Sequence, residues 1–151
     1  MGEGLGPERI CRMNLLITGY FNENAQKDIM NAFPKDWIIN IVKPEEIHSY
    51  IGMAEVLIPE HIQVTADLLE KAPLLRMVQT GAGYDNVDID SCTKKGVWVC
   101  NSAGVNANAV AEHIMAMILS YYKNIHKLDA FMKRNQDEKT LRYMGGELQD
   151  K

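Results

Sequence analysis

The sequence predicts a doubly wound α/β fold built on a parallel sheet of five strands. Short segments rich in isoleucine, leucine and valine alternate along the chain with helical patterns, which is the order of βαβ units. Each apolar segment is followed closely by glycine, proline or asparagine, residues that end a strand and allow a turn into the next helix. Parallel strands joined by right-handed crossovers, with helices on both faces of the sheet, follow from this order.

The predicted strands and helices can be placed by their apolar runs and by the residues that cap or stop them. The strands are 14–18, 37–42, 54–58, 74–79 and 97–100. The first predicted helix is capped by Asn22 or Asn24 and stopped by Pro34, and a short second helix covers 45–51. The third is capped by Thr65 and stopped by Pro73. The fourth starts at Asp85 or Asp88 and ends at Gly96. We expect a flavodoxin-like strand order, in which ligands bind outside the carboxyl ends of the strands.

After Gly104 the pattern changes to one long helix from Val105 to Tyr122, which opens at Asn106 or Asn108. This helix carries the run IMAMIL at 114–119 and is apolar nearly all round, so it must be covered on more than one side. We expect two copies of the chain to pair through it as a homodimer. The chain then divides into an irregular extension (1–12), a first domain (13–103), a hinge with the long helix (104–135) and a tail (136–151).

The bulk composition argues against several classes of function. The net charge of -4 and the pI of about 5.5 do not suit a surface for nucleic acid or for an anionic membrane. No apolar run approaches the roughly 20 residues of a membrane span. The three cysteines (Cys11, Cys92 and Cys100) show no metal-ligand spacing and are odd in number, so we expect reduced thiols, a cytoplasmic protein and no metal site.

The best candidate site lies where two predicted strands end in small residues. Gly81, Ala82 and Gly83 follow the fourth strand, and residues 101–104 follow the fifth. Because the carboxyl ends of parallel strands meet at one edge of a sheet, these segments should form a polar cleft of main-chain N–H groups. Such a cleft suits a small carboxylate. The residues alone leave open a plain turn between strand and helix.

Several motifs resemble the NAD-dependent D-isomer-specific 2-hydroxyacid dehydrogenases, which include phosphoglycerate, glycerate and formate dehydrogenases. The matching segments are LRMV at 75–78, GAGYDNVD at 81–88, GVWVCN at 96–101, GVN at 104–106, VAEHIMAMIL at 110–119 and YMGGELQDK at 143–151. The resemblance spans about residues 14–151 and implies that 13–103 is the substrate-binding domain. It also implies that Gly81, Ala82 and Gly83 hold the substrate carboxylate.

The resemblance supplies further candidate site residues. Asn106 falls where formate dehydrogenase-like members put an amide against the substrate, with a helix N-cap as the alternative. His61 is a candidate substrate contact, because the family often has a substrate-binding arginine at this strand end, where this chain has Glu60 and His61; the alternative is a solvated loop residue. This departure disfavours substrates with a second anionic group, such as phosphate. Thr80 and Asn108 are candidate cofactor contacts, with a satisfied strand-end hydroxyl and a helix cap as their alternatives.

The activity implied is hydride transfer between NAD or NADP and a small 2-hydroxy or 2-keto acid. The family's nucleotide motif and its catalytic arginine, glutamate and histidine are expected in a domain after Lys151. We therefore assign no catalytic residue here, and GxGxxG fails because Asn86 takes the third glycine position. We expect the chain alone to be inactive and to hold no cofactor. The alternative is a stand-alone module that binds a small acid or regulates a longer relative by mixed dimerisation.

Overall fold

The computed structural model describes residues 12–134 and 145–148 of the chain. Its centre is a five-stranded, entirely parallel sheet with the order β2-β1-β3-β4-β5. The strands are β1 (Asn14–Thr18), β2 (Ile38–Val42), β3 (Val56–Pro59), β4 (Met77–Gln79) and β5 (Trp98–Cys100). The predicted fold class and strand order are confirmed.

The helices lie between the strands, as the alternating pattern predicts. They are α1 (Glu23–Ala32), α2 (Ile47–Tyr50), α3 (Ala66–Glu70) and α4 (Ile89–Lys95), with α5 (Ala107–Tyr122) and α6 (Ile125–Arg134) following the sheet. Single turns of 3-10 helix, Pro44–Glu46 and Ile51–Met53, flank α2. The predicted helix at 45–51 is therefore one turn of α-helix between two tighter turns.

Three predicted helix caps are present as hydrogen bonds. Asn22, and not Asn24, caps α1 by accepting from the N–H of Ala25 at 2.9 Å. Thr65 caps α3 and Asp88 caps α4, each accepting from the N–H three residues on. Asp85 is therefore not the start of α4. These caps satisfy N–H groups that the first turn of a helix leaves unpaired.

The fourth strand is shorter than predicted. Residues 73–74 lie in a turn, and the N–H of Leu75 donates to the carbonyl of Ala72, so extended pairing begins only at Met77. An apolar run marks what is buried, and turn residues within it can be buried as well. Leu75 is such a residue, since it belongs to the core without belonging to the strand.

The core has two layers, one on each face of the sheet. Alternate side chains of β1 enter opposite layers: Leu16 packs with the side of α2, α3 and α4, whereas Leu15 and Ile17 pack with the side of α1. This alternation follows from the two-residue period of a strand. Burial on both faces explains why β1 is apolar throughout, as central parallel strands are.

The chain divides into two compact units between Ala103 and Gly104. The second unit contains α5, whose described side chains include several exposed apolar ones, among them Ile114 and Met117. Within the described residues, no helix is both long and apolar enough to cross a membrane. The predicted extension, apart from Arg12, and most of the predicted tail lie outside the described residues. The four predicted domain ranges stay predictions.

Candidate functional site

The segment after β4, Gly81, Ala82 and Gly83, is called the glycine loop below. Two of its three carbonyl groups, those of Gly81 and Ala82, and the carbonyl of the preceding Thr80 accept hydrogen bonds from neighbouring residues. The N–H of Ser102 donates to the carbonyl of Gly81 at 2.8 Å, and the side-chain amide of Asn101 donates to that of Ala82 at 2.9 Å. Gln79 donates to the carbonyl of Thr80 at 2.8 Å. The loop is thus fastened to the end of β5 through its acceptors.

The N–H groups of the glycine loop, unlike its bonded carbonyls, have no hydrogen-bond partner in the described part of the chain. Within the part of the chain that the structure describes, the N–H groups of Gly81, Ala82 and Gly83 donate to no protein acceptor. All three residues are at least partly exposed to solvent. Consecutive unpaired N–H groups give a local positive potential that suits an anion. The loop therefore offers three donors to a ligand and few acceptors.

The two glycines are not required by the backbone conformation. Neither Gly81 nor Gly83 has a positive φ. A Cβ on Gly81 would lie 3.8 Å from a carboxylate oxygen of Glu60, and one on Gly83 would lie 3.4 Å from a carboxylate oxygen of Asp85. An alanine Cβ would therefore meet only ordinary contact at both positions. What glycine provides here is close access to the main chain.

Thr80 lies directly before the glycine loop and is only 4% exposed. Its N–H donates to the carbonyl of Cys100 at 2.9 Å, and its hydroxyl reaches the same oxygen at 3.4 Å. The hydroxyl is therefore satisfied at the end of the strand, which was the alternative to a cofactor contact. A cofactor contact for Thr80 stays a prediction.

The turn after β3 lies beside the glycine loop and is held by two other side chains. The hydroxyl of Thr18 donates to the carbonyl of Glu60 at 2.9 Å. The side-chain amide of Asn86 donates to the carbonyls of Pro59 and Ile62, at 3.1 and 3.0 Å. These three bonds fasten both ends and the middle of the 59–62 turn. Its geometry is therefore set by the fold.

His61 occupies the tip of this turn. Its φ of 61° lies in the left-handed region, which is unusual for a residue with a side chain. The side chain is exposed, and its ring centroid lies 5.8 Å from that of Tyr20. Such a conformation persists because the bonds of Thr18 and Asn86 hold the turn. A substrate contact for His61 stays a prediction.

Asn86 is the site residue that sequence reasoning missed. The sequence marks it only as the residue that breaks the GxGxxG pattern. In the structure it links the glycine-loop segment to the turn after β3, beside a single parallel bridge between Val64 and Val87. The sequence shows only an asparagine in a loop. Its role follows from its half-burial in the structure, because buried polar groups in proteins are paired.

Asn106 and Asn108 belong to the second unit. Asn106 occupies the N-cap position of α5, but its side chain makes no capping hydrogen bond. Asn108 lies in the first turn of the helix. Asn106 therefore occupies the N-cap position, as the alternative predicts, but its side chain does not make the capping hydrogen bond. A substrate contact for Asn106 and a cofactor contact for Asn108 stay predictions.

Among the described residues of the first unit, three ionisable groups have shifted pKa values. Hydrogen bonds from Ser91 lower the pKa of Asp88, the cap of α4. The hydroxyl of Tyr20 donates to Glu45, which raises the tyrosine pKa. Burial raises the pKa of Cys92. Within the described residues, no group of three or more histidine, cysteine or acidic side chains is placed to hold a metal ion.

Comparison with known proteins identifies relatives of the chain. A family model described as D-isomer specific 2-hydroxyacid dehydrogenase, catalytic domain, matches residues 18–146. A D-3-phosphoglycerate dehydrogenase of Bacillus subtilis (strain 168) is 34% identical over 137 residues, which cover 90% of this chain and 23% of that protein. A glyoxylate reductase of Thermococcus litoralis is 38% identical over 79 residues, or 52% of this chain and 24% of that protein.

Solved structures show the same likeness. A D-lactate dehydrogenase of Aquifex aeolicus, complexed with NAD and lactic acid, matches with a TM-score of 0.80 and 26% identity. The match covers 89% of this chain and 41% of that chain. The chain thus spans less than half of this solved relative and about a quarter of the curated relatives named above.

Proposed function

The chain belongs to the D-isomer specific 2-hydroxyacid dehydrogenases, and from that premise we propose that it provides the substrate-binding part of an NAD(P)-dependent enzyme of this family. The observation that carries the proposal is the glycine loop. Its three N–H groups are without a protein acceptor within the described residues, while the carbonyls of Gly81 and Ala82 accept hydrogen bonds from Ser102 and Asn101, which follow β5. A carboxylate is the small ligand that such an arrangement fits.

The proposed reaction of the complete enzyme is hydride transfer between a nicotinamide and C2 of a small 2-hydroxy or 2-keto acid. The nicotinamide supplies or accepts the hydride. The role of this chain is to bind and orient the acid. Gly81, Ala82 and Gly83 would hold its carboxylate, with Asn106 and His61 as further contacts to the acid.

The described residues of the first unit do not fit a dinucleotide. A dinucleotide fold places the pyrophosphate at the N-terminus of a helix that opens directly from a glycine-rich turn. Here the glycine loop leads into a turn and the Val64–Val87 bridge, and α4 starts only at Ile89. Thr80 and Asn108 remain proposed edge contacts to the cofactor.

We extend the proposal to the behaviour of the chain in isolation. Because the described residues of the first unit do not fit a dinucleotide, the 151-residue chain should not catalyse nicotinamide-dependent turnover. The exposed apolar side chains of α5 favour association of two copies through that helix, because water contact with them is unfavourable. The free thiols of Cys92 and Cys100 fit a cytoplasmic location, where thiols stay reduced.

Titration of the isotope-labelled chain with glyoxylate, followed by amide NMR, tests the proposal. The amide signals of Gly81, Ala82 and Gly83 should shift together and saturate. Gly81→Ala and Gly83→Ala should weaken binding, because a Cβ hinders approach to the main chain, with little change in stability. Gly52→Ala is the matched control, since a Cβ there also meets only ordinary contact.

Two results would contradict the proposal. Glyoxylate that leaves the three amide signals unchanged would remove the carboxylate site. An equal loss of affinity in Gly52→Ala and Gly83→Ala would show that the glycine loop is not where the acid binds. Nicotinamide-dependent turnover by the purified chain would separately contradict its expected inactivity.

A further inference from the structure

The side chain of Glu60 lies beside the glycine loop. One of its carboxylate oxygens is 3.8 Å from the position that a Cβ on Gly81 would occupy. Its own Cβ is 3.3 Å from the corresponding position on Gly19, so its stem packs against the main chain after β1. Glu60 therefore adds a negative charge to the wall of the site.

The backbone position of Glu60 is held by three hydrogen bonds. The carbonyl of Glu60 accepts from the hydroxyl of Thr18, which is fully buried. The carbonyls of Pro59 and Ile62, on either side, accept from Asn86. These bonds hold the backbone from which the Glu60 side chain extends toward Gly81.

The carboxylate of Glu60 is without a partner among the described residues. In residues 12–134 and 145–148, it has neither an ion-pair partner nor a hydrogen-bond donor. An ion pair with an opposite charge would reduce its effect on a ligand, and these residues provide no such pair. The carboxylate can therefore repel an anion or accept a hydrogen bond from a ligand group.

The two features of the site act differently on the two ends of an acid. The three N–H groups of the glycine loop compensate one carboxylate. A second anionic group on the same small molecule would extend from the glycine loop past Glu60, where like charges repel. A hydroxyl, amine or other donor at that end would instead give a hydrogen bond to the carboxylate.

We propose that Glu60 is a specificity-determining residue that restricts the site to acids with a single negative charge. The preferred substrate class is a small monocarboxylate whose other polar groups are neutral or cationic hydrogen-bond donors. Acids with a second anionic group, such as phospho-acids, are rejected. This inference rests on the proposed function of the glycine loop, since it assigns the ligand class of that site.

Competing titrations of the unmodified chain provide the first test. Glyoxylate is the single-charge probe and 3-phosphoglycerate the probe with additional charge, both followed through the amide signals of Gly81, Ala82 and Gly83. Glyoxylate should bind more tightly, by about three- to tenfold or more. Added salt should reduce the difference, because it screens the repulsion at this exposed edge. This comparison needs no variant.

Glu60→Gln provides the second test, because it keeps the shape of the side chain and removes its charge. The affinity for 3-phosphoglycerate should rise by about three- to tenfold, and that for glyoxylate by less. Glu70→Gln is the matched control. It makes the same charge change at the C-terminal end of α3, away from the carboxyl ends of the strands. It should leave the ratio of the two affinities unchanged.

The outcomes separate this inference from the function on which it rests. If glyoxylate binds at the three amides but 3-phosphoglycerate binds equally well or better, the inference fails and the carboxylate site stands. An equal change of the ratio in Glu60→Gln and Glu70→Gln would also overturn it. If neither glyoxylate nor 3-phosphoglycerate shifts the three amide signals, both the proposed function and the role of Glu60 are contradicted.

Discussion

The side-chain amide of Asn101 donates to the carbonyl of Ala82 at 2.9 Å, across 19 positions of the chain. Asn101 follows β5 and Ala82 lies in the glycine loop after β4, so one bond joins the ends of two adjacent strands. It engages the carbonyl of Ala82 and leaves the N–H of that residue to a ligand. The bond therefore orients the loop without using a donor.

Asn101→Ala should weaken glyoxylate binding by about two- to tenfold, the worth of one hydrogen bond of about 0.5–1.5 kcal/mol. Stability should change little, because both residues have contact with water. Amide NMR titration measures the first quantity and urea unfolding the second. Asn31→Ala, on the exposed surface of α1, is the control. A loss of stability that matches the loss of affinity would show that Asn101 supports the fold and not the loop.

Asn86→Ala should lower the free energy of unfolding by about 1–3 kcal/mol, because it leaves the carbonyls of Pro59 and Ile62 without their donor. Urea unfolding followed by circular dichroism measures this change. Asn24→Ala, an exposed position in α1, should be neutral or slightly stabilising, since alanine favours a helix. Equal unfolding midpoints for the parent chain and Asn86→Ala would refute the linking role of Asn86.

The cap of α4 should make stability depend on pH. The pKa of Asp88 is lowered in the folded chain, so its carboxylate stabilises the fold above its unfolded pKa of about 3.9. That contribution is lost as the pH falls through the lowered, folded value. Asp88→Asn retains a capping side chain without the charge and should be less stable than the parent at neutral pH.

The difference between the parent and Asp88→Asn should shrink on acidification and vanish at the acid end. Thermal unfolding at a series of pH values follows it. Asp90→Asn, in the same turn but without the capping bond, should show a smaller change with pH. A constant difference across the series would mean that the charge of Asp88 is irrelevant.

The exposed side of α5 should carry a dimer contact. Met117 is 57% exposed, and Met117→Glu should turn a dimer into a monomer at micromolar concentration, because a charge opposes burial of the apolar face. Met53→Glu is the control, since Met53 lies in the first unit and is 59% exposed. Sedimentation velocity distinguishes the two states. A monomeric parent chain would contradict the expected pairing through α5.

The sequence alone shows the resemblance to the dehydrogenases and predicts the fold, because both depend on short segments of neighbouring residues. Apolar runs alternating with capped helices determine the βαβ order, and the order determines that the strands are parallel. Asn22, Thr65 and Asp88 were identifiable as caps because each acts on residues only three positions away. The predicted start of β4 is too early, because Leu75 is buried in the turn before the strand and not in the strand itself.

The sequence by itself determined the sheet, its strand order and the location of a glycine-rich segment at the carboxyl edge. Only the tertiary structure decided which groups of that segment are free. The bonds from Asn86, Asn101 and Ser102 and the approach of Glu60 to Gly81 join residues about twenty or more positions apart, and no local period encodes them. The chemistry of the edge depends on this long-range pairing, because a main-chain N–H can bind a ligand only when no other part of the chain accepts from it.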